Sequence, residues 1–194
     1  MSTLKVDTIL KRTGTGTITL GQSGDTLAIP SGATIANSGT ATGFGEDNTP
    51  YWSAHGSATQ TVATSTDTLL QFNQLLDSLD SASGYDTSAY TYTVQSGGAG
   101  LWYLKAGFYF SGASSFSEGN QVQIKLQVDN NDKINSHVFY GGQTDGWLQC
   151  DGLIKLAVGN VIKLNTWQNT GGNITVYNNN AYNSQLSGFR VKSI

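Results

Sequence analysis

The most regular stretch of the chain runs from Gln121 to Val128. Val122, Ile124, Leu126 and Val128 alternate with Gln121, Gln123, Lys125 and Gln127. That period of two belongs to a strand with one buried and one wet face. Asp129-Asn130-Asn131-Asp132 follows, and residues that tolerate left-handed backbone make a turn there. Ile134 to Tyr140 returns as the hairpin partner, which Gly141-Gly142 ends. The same reading places strands at Tyr90 to Val94, Gly100 to Leu104, Gly107 to Phe110, Leu148 to Val158, Val161 to Trp167, Asn173 to Tyr177 and Leu186 to Val191. Gly159-Asn160, Gly171-Gly172 and Asn178-Asn179-Asn180 separate the later ones. Roughly eight to ten short strands with a turn every 8–12 residues predict a sandwich or barrel. Asp67 to Asp80 breaks the rhythm. Leu69, Phe72, Leu76 and Leu79 fall at helical spacing behind Ser65 or Asp67 as a cap, which predicts a short helix, with a strand over Thr68 to Asn73 as the alternative.

The first 45 residues follow another pattern. Leu4, Val6, Thr8 and Leu10 alternate with Lys5, Asp7, Ile9 and Lys11. Short extended pieces at Thr15 to Leu20, Thr26 to Ile29 and Ala33 to Ala36 are separated by Gly21-Gln22-Ser23-Gly24, Pro30-Ser31-Gly32 and Ser38-Gly39. Phe44 is the one aromatic of this stretch, whereas all 4 Trp and all 9 Tyr lie after Pro50. So few apolar side chains cannot offset the entropy of ordering the segment alone. It is either a flexible tail or a chain wound around identical copies of itself. Thr and Val favour extended backbone and small residues permit close approach at a shared axis, so the second reading is preferred. The organisation expected is an N-terminal trimerising and attachment segment at 1–45, a linker at 46–50 and a β-structured head at 51–194.

Composition narrows the function. Only 12% of the 194 residues are charged, about half the usual share. Ten basic against 13 acidic residues leave a net charge of −3, and no Lys or Arg occurs from Thr13 to Leu104, so no basic surface awaits a nucleic acid. No apolar run is long enough to cross a membrane, and the first twenty residues lack the apolar core of a secretory signal. The lone Cys150 excludes an internal disulfide framework and a cysteine zinc site.

Candidate chemistry is sparse. His55 and His137 are the only histidines, so a Ser-His-Asp constellation has few bases to draw on, and both read as ordinary surface or half-buried residues. Glu46 and Glu118 are the only glutamates, and no spacing singles out a carboxylate pair for glycoside hydrolysis. The chain is therefore expected to bind or build rather than catalyse, without a cofactor. Asp129, Asn131 and Asp132 offer oxygen ligands for calcium, but the loop lacks the central Gly and terminal Glu of an EF-hand, and the hairpin turn is the stronger reading. Tyr140, Trp147, Trp167 and Tyr177 lie near Gly- and Asn-rich turns. Rings beside amides at loop tips suit flat polar ligands such as sugars; equally, such rings fill a core or an inter-subunit seam.

Short motifs in residues 50–194 resemble the C1q/TNF-like trimeric jelly roll. Trp52-Ser53-Ala54 looks like its opening strand, and Leu104-Lys105-Ala106-Gly107-Phe108-Tyr109-Phe110 like its Gly-x-Tyr-x-Phe strand, with the aromatics as Gly-Phe-Tyr-Phe. Val128-Asp129-Asn130-Asn131 sits where that family has a short hairpin turn. Leu156-Ala157-Val158-Gly159-Asn160-Val161-Ile162 is similar to its Leu-x-x-Gly-Asp-x-Val segment, with Asn160 for Asp, and Leu186-Ser187-Gly188-Phe189 to its closing strand. The resemblance implies an all-β, homotrimeric jelly-roll sandwich, with Phe108, Tyr109, Phe110 and Phe189 towards the trimer interior or core, and calcium near the apex in some members. Met1 to Ile9, Gly14 to Thr17, Gly24 to Leu27 and Ser31 to Ile35 resemble the opening of bacteriophage fibre proteins. That implies a virion protein made in the host cytoplasm, attached to other virion proteins through residues 1–45, whose trimeric head binds a host surface receptor or glycan by multivalent adhesion. The alternatives are a structural decoration or fibre cap with no ligand, and a stand-alone C1q-like lectin domain.

Overall fold

The computed structural model describes residues 50–112, 116–140, 142 and 144–194, with 139 and 140 by backbone only, together with 19, 22–26, 28 and 30–34 near the N-terminus. Contacts divide the chain into two units, Met1–Phe44 and Gly45–Ile194. In the first unit, two turns are described. Asp25 N donates to Gln22 O at 3.0 Å and Ala33 N to Pro30 O at 3.1 Å. Gly24 and Gly32 sit at the third position of these turns with φ of 95° and 85°, the conformation for which a type II turn selects glycine. The extended pieces expected at Thr15 to Leu20 and Ala33 to Ala36 lie largely outside the described residues.

The second unit is built from strands, with no helix among the described residues. They are β1 (Tyr51–His55), β2 (Gln60–Val62), β3 (Thr68–Leu69), β4 (Gln74–Asp80), β5 (Tyr85–Asp86), β6 (Thr91–Thr93), β7 (Gly100–Gly112), β8 (Asn120–Val128), β9 (Asn131–Tyr140), β10 (Asp145–Leu156), β11 (Val161–Gln168), β12 (Ile174–Val176) and β13 (Ser184–Ser193). One sheet runs β2-β12-β7-β13-β1-β4, with β10 along the other side of β7; the second runs β5-β6-β11-β8-β9, with β3 also on β11. Every pairing is antiparallel. The head is thus an all-β sandwich.

Strand alternation explains where the core lies. The segments read as Gly100 to Leu104 and Gly107 to Phe110 are one strand, β7. Its Trp102, Leu104, Ala106, Phe108 and Phe110 are fully buried, facing Val122, Ile124 and Leu126 of β8 and Ile162 and Leu164 of β11. Each large side chain so buried contributes about 1.5–3 kcal/mol. Trp52 from β1 stacks on Tyr92 from β6, with ring centroids 4.8 Å apart. Gly188 of β13 has no Cβ because one would stand 2.5 Å from Leu104 Cδ2 and 3.2 Å from Trp52 Nε1.

The β8–β9 hairpin closes more tightly than the four-residue turn expected. Val128 pairs with Asn131, leaving Asp129 (φ 51°) and Asn130 (φ 64°) as a two-residue loop. Two successive left-handed residues are what a type I′ hairpin requires.

The short helix expected over Asp67 to Asp80 does not form. Leu69 belongs to β3, and Leu76 and Leu79 to β4. Helical spacing arises here from a bulge. Asp77 and Ser78 have φ of 48° and 58°, and across them Trp52 pairs with Asp80 while Ala54 pairs with Leu75. The extra residues shift the phase of alternation.

Candidate functional site

The outward residues of β1, β13, β7 and β10 form one exposed face. At one end, Tyr51 lies opposite Phe189, Phe189 opposite Tyr103, and Tyr103 opposite Leu153. This row crosses four strands, and Tyr51, Phe189 and Leu153 are 40%, 41% and 60% exposed. The Tyr103 and Phe189 rings are 5.5 Å apart. A groove of about 380 Å³ opens beside them, also bordered by Leu79, Lys105 and Gln185. The next row is polar: Ser53, Ser187, Lys105 and Asp151. Tyr103 Oη donates to Asp151 Oδ2 at 3.0 Å, a bond that lifts the phenol above its usual range.

The other end of the face carries Tyr109, Tyr177 and Trp147. Trp147 is opposite Tyr109, whose ring is 5.4 Å from that of Tyr177. The indole leans over Gly107, where a Cβ would come within 3.0 Å of its Cζ2, and 46% of the residue stays exposed. Tyr109 Oη donates to Asp145 Oδ2 at 2.5 Å, which raises the phenol's pKa in the same way. Six residues at ~3.3 Å each separate Tyr103 from Tyr109, so the two ends stand about 20 Å apart.

The residues singled out from sequence scatter over the molecule. Trp147 and Tyr177 are brought to one end of this face, either side of Tyr109. Trp167 lies on the outer face of the opposite sheet, in a row with Gln123 and His137. Tyr140 ends β9 opposite Asn120, and its side chain is outside the described residues. Phe108 and Phe110 are fully buried between the sheets, so they serve the intramolecular core, whereas Tyr109 and Phe189 point outward. Tyr51, Tyr103, Leu153 and Asp145 were not singled out. Continuing the alternation of β7 through Lys105 puts Tyr103 in one outward phase with Tyr109 and is the signal that finds Tyr103 among these positions.

The calcium candidates are engaged within the hairpin, Asp129 in its turn and Asn131 and Asp132 at the start of β9. Asp129 accepts from Asn160 Nδ2 at 2.7 Å and from Val161 N at 2.9 Å. Asp132 Oδ1 accepts from Gln127 Nε2 at 2.7 Å, and Asn131 Nδ2 donates to the Asp129 carbonyl at 2.9 Å. Among the described residues, no three or more His, Cys, Asp or Glu side chains cluster closely enough to hold a metal ion. His55 Nδ1 lies 2.7 Å from the Gly56 carbonyl. Cys150 is buried, and burial pushes its thiol up to about 12, far from the range of a reactive thiolate.

No family model matches the chain, and no curated protein matches it. Among solved structures, it is similar to the globular domain of the zebrafish complement 1qA protein. The two are 12% identical with a TM-score of 0.53, and the match covers 75% of this chain and 99% of that one. The likeness is one of fold: the head is a C1q-like jelly roll.

Proposed function

We propose that this chain is a non-catalytic assembly and adhesion protein whose heads associate as a homotrimer through the face bearing Tyr51, Phe189, Tyr103 and Leu153. The observation that carries this reading is that row itself. Contiguous exposed apolar surface on a single chain marks an interaction site, and this one is four strands wide. The occupant is another copy of the chain. The adjoining row holds one lysine and one aspartate, Lys105 and Asp151, so the face matches itself in charge and favours no polyion. Three copies agree with the association that the C1q/TNF resemblance implies. Residues 1–45, whose opening resembles phage fibre proteins, would attach the assembly to a particle, and the heads would supply several identical weak contacts at once.

Light scattering on the full chain during size exclusion tests this. The expected mass is three times 20.6 kDa, falling to a single chain in Phe189→Asp. A wild-type monomer at micromolar concentration overturns it.

A further inference from the structure

We propose that the outer face of the second sheet carries, around Trp167, a platform for a neutral saccharide. The proposal deepens the adhesion reading and rests on it for its biological meaning, but not for its test. Trp167 stands on the sheet opposite the association row, so heads that turn that row toward a shared axis turn this face outward.

Three observations carry it. First, the ring has a rigid base. Trp167 is partly exposed on the outward side of β11, and its neighbours Thr166 and Gln168 are fully buried. Thr166 Oγ1 donates to the Gln123 carbonyl at 2.8 Å. Gln168 Nε2 donates to the Gly172 carbonyl at 2.8 Å, and its Oε1 accepts from Thr170 N at 2.7 Å. A strand fixed in this way spares a ligand the cost of ordering its site. An indole so held presents apolar ring surface to the CH face of a pyranose, and such stacking needs no charge.

Second, the ring is flanked by groups that suit hydroxyls. Gln123 of β8 is its partner in register, and the exposed His137 of β9 follows in the same row. On the other side, Asp67 directly precedes β3, whose Thr68 pairs with Thr166. The antiparallel run therefore sets Asp67 on the Trp167 side of that pair. Lys125 Nζ reaches Asp67 Oδ1 from β8 at 2.8 Å, so the ion pair spans β11 beside the indole. The Lys125 side chain is 15% exposed and that of Asp67 53%, which leaves carboxylate lone pairs open to solvent. Amide, imidazole and carboxylate together donate to and accept from hydroxyls, which themselves do both.

Third, the surroundings select the partner. Asp67 and Lys125 neutralise each other at contact distance, so the ring has no net charge beside it to draw a polyion. The next row holds Asn135, Lys125, Asn165 and Leu69. One indole and one leucine among amides do not make the apolar core that a protein partner buries.

The test is affinity electrophoresis of the full chain in gels containing dextran, mannan or galactan, with heparin as the anionic control, alongside light scattering of each variant. The expected result is retardation by at least one neutral polysaccharide, weakened roughly tenfold or more in apparent affinity by Trp167→Ala. Tyr182→Ala, which removes a ring 92% exposed elsewhere on the head, retains it. The mass of Trp167→Ala equals that of the wild type. Should Trp167→Ala fail to fold, Asp67→Ala replaces it, since this exposed side chain leaves the core untouched and its loss also lowers binding. Retardation by none of the neutral polysaccharides, by heparin alone, or equally in wild type and the platform variants overturns the proposal. So does loss of assembly in Trp167→Ala, which would assign the ring to a contact between heads. Failure of the association reading shows instead as a wild-type monomer, whatever the gels report.

Discussion

The indole of Trp52 lies against the ring of Tyr92, 4.8 Å between centroids and 11° between planes. Trp52 belongs to β1 in one sheet and Tyr92 to β6 in the other, so the stack ties the two layers together. Tyr85 and Trp102 extend it on either side, at 5.4 Å from Trp52 and 5.5 Å from Tyr92. Trp52→Ala removes the centre of this cluster and is expected to cost about 3–5 kcal/mol. Tyr92→Phe behaves differently. Its hydroxyl is buried without a hydrogen-bond partner, and removing an unsatisfied group is neutral or stabilising by up to about 1 kcal/mol. Denaturant unfolding of the two variants checks both; a large loss in Tyr92→Phe would show that the hydroxyl has a partner.

Gly188→Ala places a methyl 2.5 Å from Leu104 Cδ2 and 3.2 Å from Trp52 Nε1. Overpacking of this kind costs about 1–3 kcal/mol. Gly172→Ala is the control, because nothing lies within 4 Å of the added atom. A thermal melt of Gly188→Ala equal to that of the control would contradict the packing described.

Asp129 ties the β8–β9 hairpin to the start of β11 through Asn160 and Val161. Asp129→Ala loses both bonds and puts alanine into left-handed backbone, for an expected loss of roughly 2 kcal/mol. With the carboxylate engaged in this way, millimolar calcium is expected to leave the melting temperature unchanged, and a rise on adding calcium would return the turn to the status of a metal site.

These elements show what one chain's pattern can and cannot convey. The alternation of Val122, Ile124, Leu126 and Val128 is local, so the strand and its buried face are legible at once. The turn residues Asp129 and Asn130 are legible for the same reason. Asp77 and Ser78 hide β4 because a bulge imitates helical spacing. The row from Tyr51 to Leu153 is assembled from four strands distant in sequence, and only their register brings the side chains side by side. Trp147 and Trp167 look equivalent in sequence yet lie on opposite sheets, because which sheet a strand joins is decided by long-range pairing.

Stability should fall at alkaline pH. Burial lifts the phenols of Tyr85 and Tyr92 above their ordinary value of 10.0, and raises Cys150 from 9.0 to about 12. The folded state therefore keeps protons that the unfolded chain releases. Stability from these groups is complete below about pH 9 and declines as pH rises above it. Denaturant unfolding at neutral pH and at steps above pH 9 tests this, and an unfolding free energy that stays flat through that range would contradict it. In the native state Cys150 should also resist thiol reagents that label it rapidly after unfolding.

The most direct measurement is the mass of the full chain in solution at micromolar concentration. Association through the Tyr51–Phe189–Tyr103–Leu153 row predicts three times 20.6 kDa, with Phe189→Asp and Tyr103→Asp reduced to single folded chains. A wild-type monomer, or a trimer that both substitutions leave intact, would contradict it.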